Sequence, residues 1–174
     1  MLPVGEVGEL EVRGPQVMLG YYRQPEETAG VLQDGWLRTG DLARIDADGY
    51  AFIVDRKKDM IDVGGLKVYP REVEEVLRTH PAVADVAVVA APDPTLGEVP
   101  RAYVVRRPDT SVEGPELIAL VRAHLAHYKA PRTVVFRESL PKTGIQKTLR
   151  RALRDEAFRS AGGPAVGAPP GPAP

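Results

Sequence analysis

Three stretches of the chain hold side chains that could act on a ligand. The first is Leu37-Arg38-Thr39-Gly40-Asp41 taken with Asp55-Arg56. A carboxylate accepts hydrogen bonds and a guanidinium donates them. Asp41 and Arg56 side by side could therefore hold a vicinal diol such as a ribose. The same two residues also read as an ordinary cross-strand ion pair, which is common and weak. The second stretch is Arg56-Lys57-Lys58-Asp59-Met60-Ile61-Asp62-Val63-Gly64-Gly65. It is a charged piece followed by two glycines, and glycine lets a backbone come close to a ligand. It reads as a hinge with a ligand-facing loop, or as a solvated linker and a tight turn. The third is Leu140-Pro141-Lys142-Thr143-Gly144-Ile145-Gln146-Lys147. Proline and glycine make it a loop. A loop lysine can reach a neighbouring site and stabilise developing negative charge, although most loop lysines only solvate a surface.

Other chemistries find no residues here. The chain has no cysteine, which excludes disulfides, cysteine-zinc sites, iron–sulfur clusters and a thiol nucleophile. His80, His124 and His127 form no metal-ligand pattern, and no metal site is expected. His124 reads as a packed core histidine. Arg150, Arg151 and Arg154 read as a solvated helix face, not a nucleic-acid surface. There is no G-x-x-x-x-G-K-[ST] loop and no serine in a nucleophile elbow.

These residues need elements to position them. Gly8 to Gly14 alternates apolar and charged residues, the period of a half-buried strand, and Gly14-Pro15 stops it. Gly20 to Thr28 reads as a loop leading into a short helical turn. Leu42–Ile45 and Tyr50–Val54 read as a hairpin around Asp46-Ala47-Asp48-Gly49. Pairing Asp46 with Tyr50 makes opposed residue numbers sum to 96, while Asp41 and Arg56 sum to 97. The hairpin should bring those two side chains to one open end. Short strands are expected at 60–63 and 66–69. Pro70 opens a helix, where a missing N–H costs least, and Val73, Val76 and Leu77 lie on one of its faces. The apolar run 83–91 reads as a buried strand, and 101–107 and 133–136 as further strands. A helix starting at Pro115 carries Leu117, Leu120, Val121, His124, Leu125 and Tyr128 at helical spacing. An arginine-rich helix covers 148–158. Thirteen of the residues 160–174 are Gly, Ala or Pro, a composition expected to be disordered.

The 174 residues suffice for one ordinary domain with its own core, or one domain plus part of another. Residues 1–55 hold four basic and ten acidic groups, and residues 56–174 hold nineteen and fourteen. The balance thus changes from −6 to +5 near Arg56, as expected where two bodies meet. The overall net charge of −1 excludes a histone-like polyanion binder. No apolar run approaches the ~18 residues that would span a bilayer. No signal peptide is visible at the start, so the expected location is the cytoplasm.

In order along the chain these segments resemble the adenylate-forming (AMP-binding) enzymes, the superfamily of acyl-CoA synthetases, adenylation domains and luciferases. GELEVRGPQVMLGYYRQPEET is similar to the segment before the ribose motif, and GWLRTGD to the ribose motif itself. VDRKKDMIDVGGLKVYPREVEEVL resembles the hinge and the loop after it, in wording most like fatty acyl-CoA synthetases. HYKAPRTVVFRESLPKTGIQK resembles the approach to the catalytic lysine, except that Gln146 stands where the family usually has glycine.

The resemblance implies an α+β fold in two parts. Residues 1–55 would be strands from the end of the large N-terminal domain, 56–58 a hinge, 59–158 the small mobile C-terminal lid domain, and 159–174 a disordered tail. It implies the reaction of the parent family. A carboxylate and ATP give acyl-adenylate and pyrophosphate, and CoA then gives acyl-CoA and AMP. Lys147 would contact the carboxylate and α-phosphate, and Asp41 and Arg56 the ribose hydroxyls. Lys67 would lie near the nucleotide, Gly65 would line the pantetheine channel, and Lys58 would be the hinge. No role passes to Asp62. ATP/AMP, CoA and Mg are the ligands of the complete enzyme, and its partners are a small carboxylate, CoA and a separate N-terminal AMP-binding domain, with no nucleic acid. The phosphate loop, adenine motif and acyl pocket of the large domain are absent from this sequence. The chain is therefore expected to be a ligase fragment acting on fatty acids and inactive alone. Two alternatives stand beside this. One is a non-catalytic remnant or accessory lid that docks on a separate N-terminal subunit. The other is an adenylation domain loading a carrier protein.

Overall fold

Alternation at the start of the chain builds a sheet. In the computed structural model, which describes residues 2–161, Val7–Val12 forms β1 and Pro25–Val31 forms α1. Leu32–Gln33, Trp36–Ile45 and Ala51–Arg56 form β2, β3 and β4. β3 is central and pairs antiparallel with the other three. Asp34 (φ 51°) and Gly35 (φ 78°) turn β2 into β3. Asp-Gly with both φ positive is the sequence preference of the two-residue hairpin turn. A 3₁₀ turn at Lys57–Asp59 follows β4. The first compact unit ends at Met60. Its described buried residues are Leu42, Ala43 and Asp55, while Trp36, Tyr50, Phe52 and Ile53 are exposed.

The second unit begins at Ile61 and holds the main core. Ile61–Val63, Leu66–Val68, Val83–Asp93, Gly97–Arg106 and Thr133–Arg137 form β5 to β9. The sheet order is β6-β5-β8-β7, all antiparallel, with β9 parallel to β8. Residues 86–91 of β7 are all buried, so both faces of that strand are covered. This is why its sequence is a continuous apolar run instead of an alternation. Pro70–Arg78 forms α2, Gly114–His124 forms α3 and Arg150–Ala161 forms α4. Tyr103 of β8 is fully buried and donates its hydroxyl to the Leu153 carbonyl of α4 at 3.3 Å. The fold is α+β.

Three expectations are corrected. α3 ends at His124, because Leu125 turns extended (φ −127°, ψ 165°), and Tyr128 reaches the core from a separate 3₁₀ turn. His124 is exposed, not packed, and its Nδ1–H donates to the Leu120 carbonyl at 2.9 Å. α4 starts two residues later than expected and continues through 159–161, residues expected to lie in the tail. The remainder of that expected tail, 162–174, lies outside the described residues. No described helix is long and apolar enough to cross a membrane.

Candidate functional site

In the first unit, Asp41 of β3 pairs with Arg56 of β4, Nε to Oδ1 at 3.2 Å. Both side chains are partly exposed, at 29% and 48%. The carboxylate's second oxygen and the guanidinium's terminal N–H groups are the complementary acceptor and donor set that a vicinal diol requires. The backbone around Asp41 is fixed from the other side. Thr39 donates its hydroxyl to the Leu10 carbonyl at 2.9 Å and accepts the Asp41 N–H at 3.1 Å. Gly40 between them has φ 74°, a left-handed conformation that favours glycine. Three residues of β3, Thr39 to Asp41, thus face Leu10 alone between the pairs Glu9–Leu42 and Glu11–Arg38. The bulge aims the Asp41 side chain. The sequence motif contained Thr39 and Gly40, but no role for them was visible there.

Lys58 is the middle residue of the 3₁₀ turn that ends the first unit, and it is exposed. The turn is held to its own unit at both ends. Lys57 Nζ meets Glu9 Oε2 at 2.7 Å, and the Met60 N–H donates to the Arg56 carbonyl at 3.2 Å.

In the second unit, Gly64 (φ 57°) and Gly65 (φ 92°) make the two-residue turn between β5 and β6. Two positive φ values in succession explain the Gly-Gly sequence. A Cβ at Gly65 would meet no described atom within 4 Å, so its bare backbone opens outward. Asp62, to which sequence reasoning gave no role, organises this turn. Its Oδ1 accepts the Gly65 N–H at 2.6 Å and its Oδ2 pairs with Lys67 Nζ. The Lys67 ammonium, and then the Gly65 N–H, hold the Asp62 carboxyl below its ordinary pKa. Gly65 and Lys67 are thereby brought together.

Lys147 is exposed on a separate segment of the second unit. The Thr143 N–H donates to the Lys147 carbonyl at 2.8 Å, and the Gln146 N–H to the Thr143 carbonyl at 2.9 Å. A bridge between Lys142 and Thr148 extends the pairing. Thr143 Oγ1 accepts the Lys147 N–H at 3.3 Å. The β3–β4 hairpin has the same turn. There Asp46 N–H donates to the Tyr50 carbonyl, Gly49 N–H to the Asp46 carbonyl, and Asp46 Oδ1 accepts the Tyr50 N–H. Gly49 fills the left-handed position with φ 86°, and Gln146 fills the equivalent one with φ 61°. The usual glycine before the family's lysine thus matches a backbone need that remains when the residue is glutamine.

The arginines of α4 are not the uniformly solvated face expected of them. Arg151 is 90% exposed, as expected, but Arg150 meets Glu74 Oε2 at 2.7 Å and Arg154 meets Glu98 Oε1 at 3.0 Å. Helical period alone does not reveal carboxylates on other elements. Among the described residues, no three His, Asp or Glu side chains converge on a place for a metal ion.

Residues 72–147, ending at the lysine itself, match the AMP-binding enzyme C-terminal domain. The chain is 52% identical over 153 residues to a long-chain-fatty-acid–CoA ligase of Salmonella typhimurium. That alignment covers 88% of this chain and 27% of the ligase. A feruloyl-CoA synthase of Amycolatopsis sp is 49% identical over 153 residues, 88% of this chain and 31% of that protein. Among solved structures, the amide bond synthetase McbA of Marinactinospora thermotolerans superposes with a TM-score of 0.83 at 46% identity, covering 89% of this chain and 32% of that one. The chain therefore spans about a third or less of these relatives. Residues 72–147 thus match the C-terminal domain of AMP-binding enzymes, and along its length the chain is similar to the C-terminal part of adenylate-forming enzymes.

Proposed function

We propose that this chain is the C-terminal part of an ATP-dependent acyl-CoA ligase acting on fatty acids, and that it is inactive alone. Lys147 carries the reading. An exposed lysine sits at the foot of a hydrogen-bonded turn and is the last residue of the family match. Its ammonium would meet the carboxylate and the α-phosphate as charge develops between them, which is electrostatic stabilisation of the transition state. Asp41 would accept from, and Arg56 donate to, the ribose hydroxyls of ATP. Lys67 would lie near the nucleotide. The bare face of Gly65 would line the path of the CoA pantetheine, and Lys58 would serve as the hinge between the two half-reactions. Mg would be held by the nucleotide phosphates and by the complete enzyme. As a user of ATP and CoA, the ligase would work in the cytoplasm with a separate N-terminal AMP-binding portion.

Relatives at 52% and 49% identity are named for long-chain fatty acids and for ferulate. A relative at 46% is named for amide bonds. Fatty acid rests on the first of these and on the wording of the hinge. The test has two arms. ATP–pyrophosphate exchange with fatty and aryl acids is expected to match the blank for the chain alone. Fused to the N-terminal portion of a fatty acyl-CoA ligase, the chain should support acyl-CoA formation, and Lys147→Ala should slow adenylation by about 10²–10³. Exchange by the chain alone, or a fusion indifferent to Lys147→Ala, would overturn the proposal.

A further inference from the structure

The segment 141–149 that carries Lys147 is a short hairpin with a poorly suited residue in its turn. Gln146 occupies a left-handed conformation at φ 61° that costs a non-glycine residue energy. Such a turn keeps one geometry only where its surroundings impose it. Both stems of the hairpin are anchored by carboxylates from other elements of the same unit. On the first stem, Lys142 Nζ meets Asp85 Oδ2 of β7 at 3.1 Å. On the second, three residues after Lys147, the Arg150 guanidinium donates to both oxygens of Glu74 at 2.7 Å.

Glu74 is the stronger anchor. It is 2% exposed on α2, and α2 packs on β7. Besides Arg150, it accepts the Val88 N–H of β7 at 2.9 Å and pairs with Arg78 at 3.1 Å. Three donors from α2, β7 and the start of α4 thus converge on one buried carboxylate. A buried charge-assisted bond of this kind fixes a direction as well as a distance. Lys147 itself is exposed, so its placement depends on the backbone that presents it.

We propose that Glu74, through Arg150, and Asp85, through Lys142, are positioning residues that hold the Lys147 hairpin in its working geometry. The inference rests on the reading of Lys147 given under Proposed function. Without the anchors, the Gln146 turn relaxes toward unstrained conformations and the lysine loses its fixed direction. Arg150→Gln removes the second anchor and leaves Glu74 with Arg78 and the Val88 N–H, so the unit stays folded. Arg150→Lys keeps the charge and tests rescue. Glu74→Gln and Asp85→Asn test the carboxylates directly.

The experiment is ¹⁵N relaxation and amide exchange on the 174-residue chain. In Arg150→Gln the order parameters of Gln146 and Lys147 are expected to fall from about 0.85 toward 0.6. Exchange of the Thr143 and Gln146 amides should quicken about tenfold, and exchange along β8 should stay as in the parent. Arg150→Lys should recover part of the order. Glu74→Gln should reproduce Arg150→Gln in the hairpin, and Asp85→Asn should give a smaller loosening. Loss of protection throughout the second unit in Arg150→Gln would mean a purely structural role and would overturn the proposal. So would an unchanged hairpin. These readouts involve no reaction, so failure here leaves the chemical role of Lys147 standing. Failure of the adenylation test likewise leaves this result standing.

Discussion

Arg56 meets Asp41 at 3.2 Å because Val54 has no partner on the facing strand. Between β3 and β4 the opposed residues run Ile45–Ala51, Arg44–Phe52 and Ala43–Ile53, then Leu42–Asp55 and Asp41–Arg56. One residue has been inserted into β4. Were Val54 instead paired with Leu42 in an unbroken ladder, Asp41 would face Asp55, and Arg56 would move on by one, to the other face of the sheet. The bulge thus converts a clash of two carboxylates into a complementary pair.

Arg56→Asp, which sets two carboxylates opposite each other at this register, should therefore destabilise the first unit. It exchanges an ion pair for opposed like charges, a change of about 1–2 kcal/mol. Trp36, the single tryptophan, lies on β3 of this unit, so its fluorescence reports unfolding there. The fluorescence midpoint in urea should fall at neutral pH. A midpoint equal to that of the parent would show that positions 41 and 56 do not face each other.

The sequence revealed most of this hairpin and missed its decisive detail. Period-two alternation and the Asp-Ala-Asp-Gly turn located the strands, and arithmetic on residue numbers pointed to Asp41 and Arg56 with a mismatch of one. The mismatch is the bulge, which no local pattern around Val54 announces. The run 83–91 was legible because burial on both faces leaves an unbroken apolar signature. Glu74 and Asp62 were not legible, because their partners are distant in sequence or belong to a turn. A buried glutamate on a helix rich in glutamate looks like its exposed neighbours. Arg150 likewise looked solvated until Glu74 stood opposite it.

The left-handed residue before Lys147 gives a second prediction. Gln146→Gly removes a conformational penalty of about 1 kcal/mol while the hydrogen bonds of the turn remain. Native-state exchange of the Thr143 amide, which donates to the Lys147 carbonyl, should slow about fivefold. Gln146→Val should speed it, since a β-branched residue fits positive φ worse. The equivalent turn offers a control, because Gly49→Ala should weaken the β3–β4 hairpin in the same sense. Equal exchange in the glycine and valine variants would contradict the argument.

Acid should loosen the Gly64-Gly65 turn. The Lys67 ammonium and the Gly65 N–H lower the pKa of the Asp62 carboxyl below its ordinary 3.8. A carboxyl with a lowered folded-state pKa binds its proton less readily in the folded chain than in the unfolded one. Its stabilisation is therefore present above 3.8 and is lost as pH falls through the lowered value. Titration of the Asp62 carboxyl carbon by NMR should give a midpoint below 3.8. Lys67→Ala should move that midpoint up toward the ordinary value. A midpoint at or above 3.8 in the parent chain would refute the assigned pairing.

The last prediction separates Lys147 from Lys58 in the fused ligase. Lys147 is the motif lysine assigned to meet the reacting carboxylate and α-phosphate. Loss of one such preorganised group costs on the order of 10²–10³ in rate. Lys147→Ala should therefore cripple adenylation and spare thioester formation from supplied acyl-adenylate. Lys58 sits mid-turn at the end of the first unit, two residues before its last residue, Met60. Proline there fixes φ at 58, so the turn resists the change in backbone angles that domain rotation demands. Lys58→Pro should leave adenylation largely intact and depress transfer to CoA. Each variant should keep the half-reaction that the other loses. Stopped assays of each half-reaction, with acyl-adenylate supplied for the second, measure this directly. Loss of the same half-reaction in both variants would refute the assignment of hinge and catalytic lysine together.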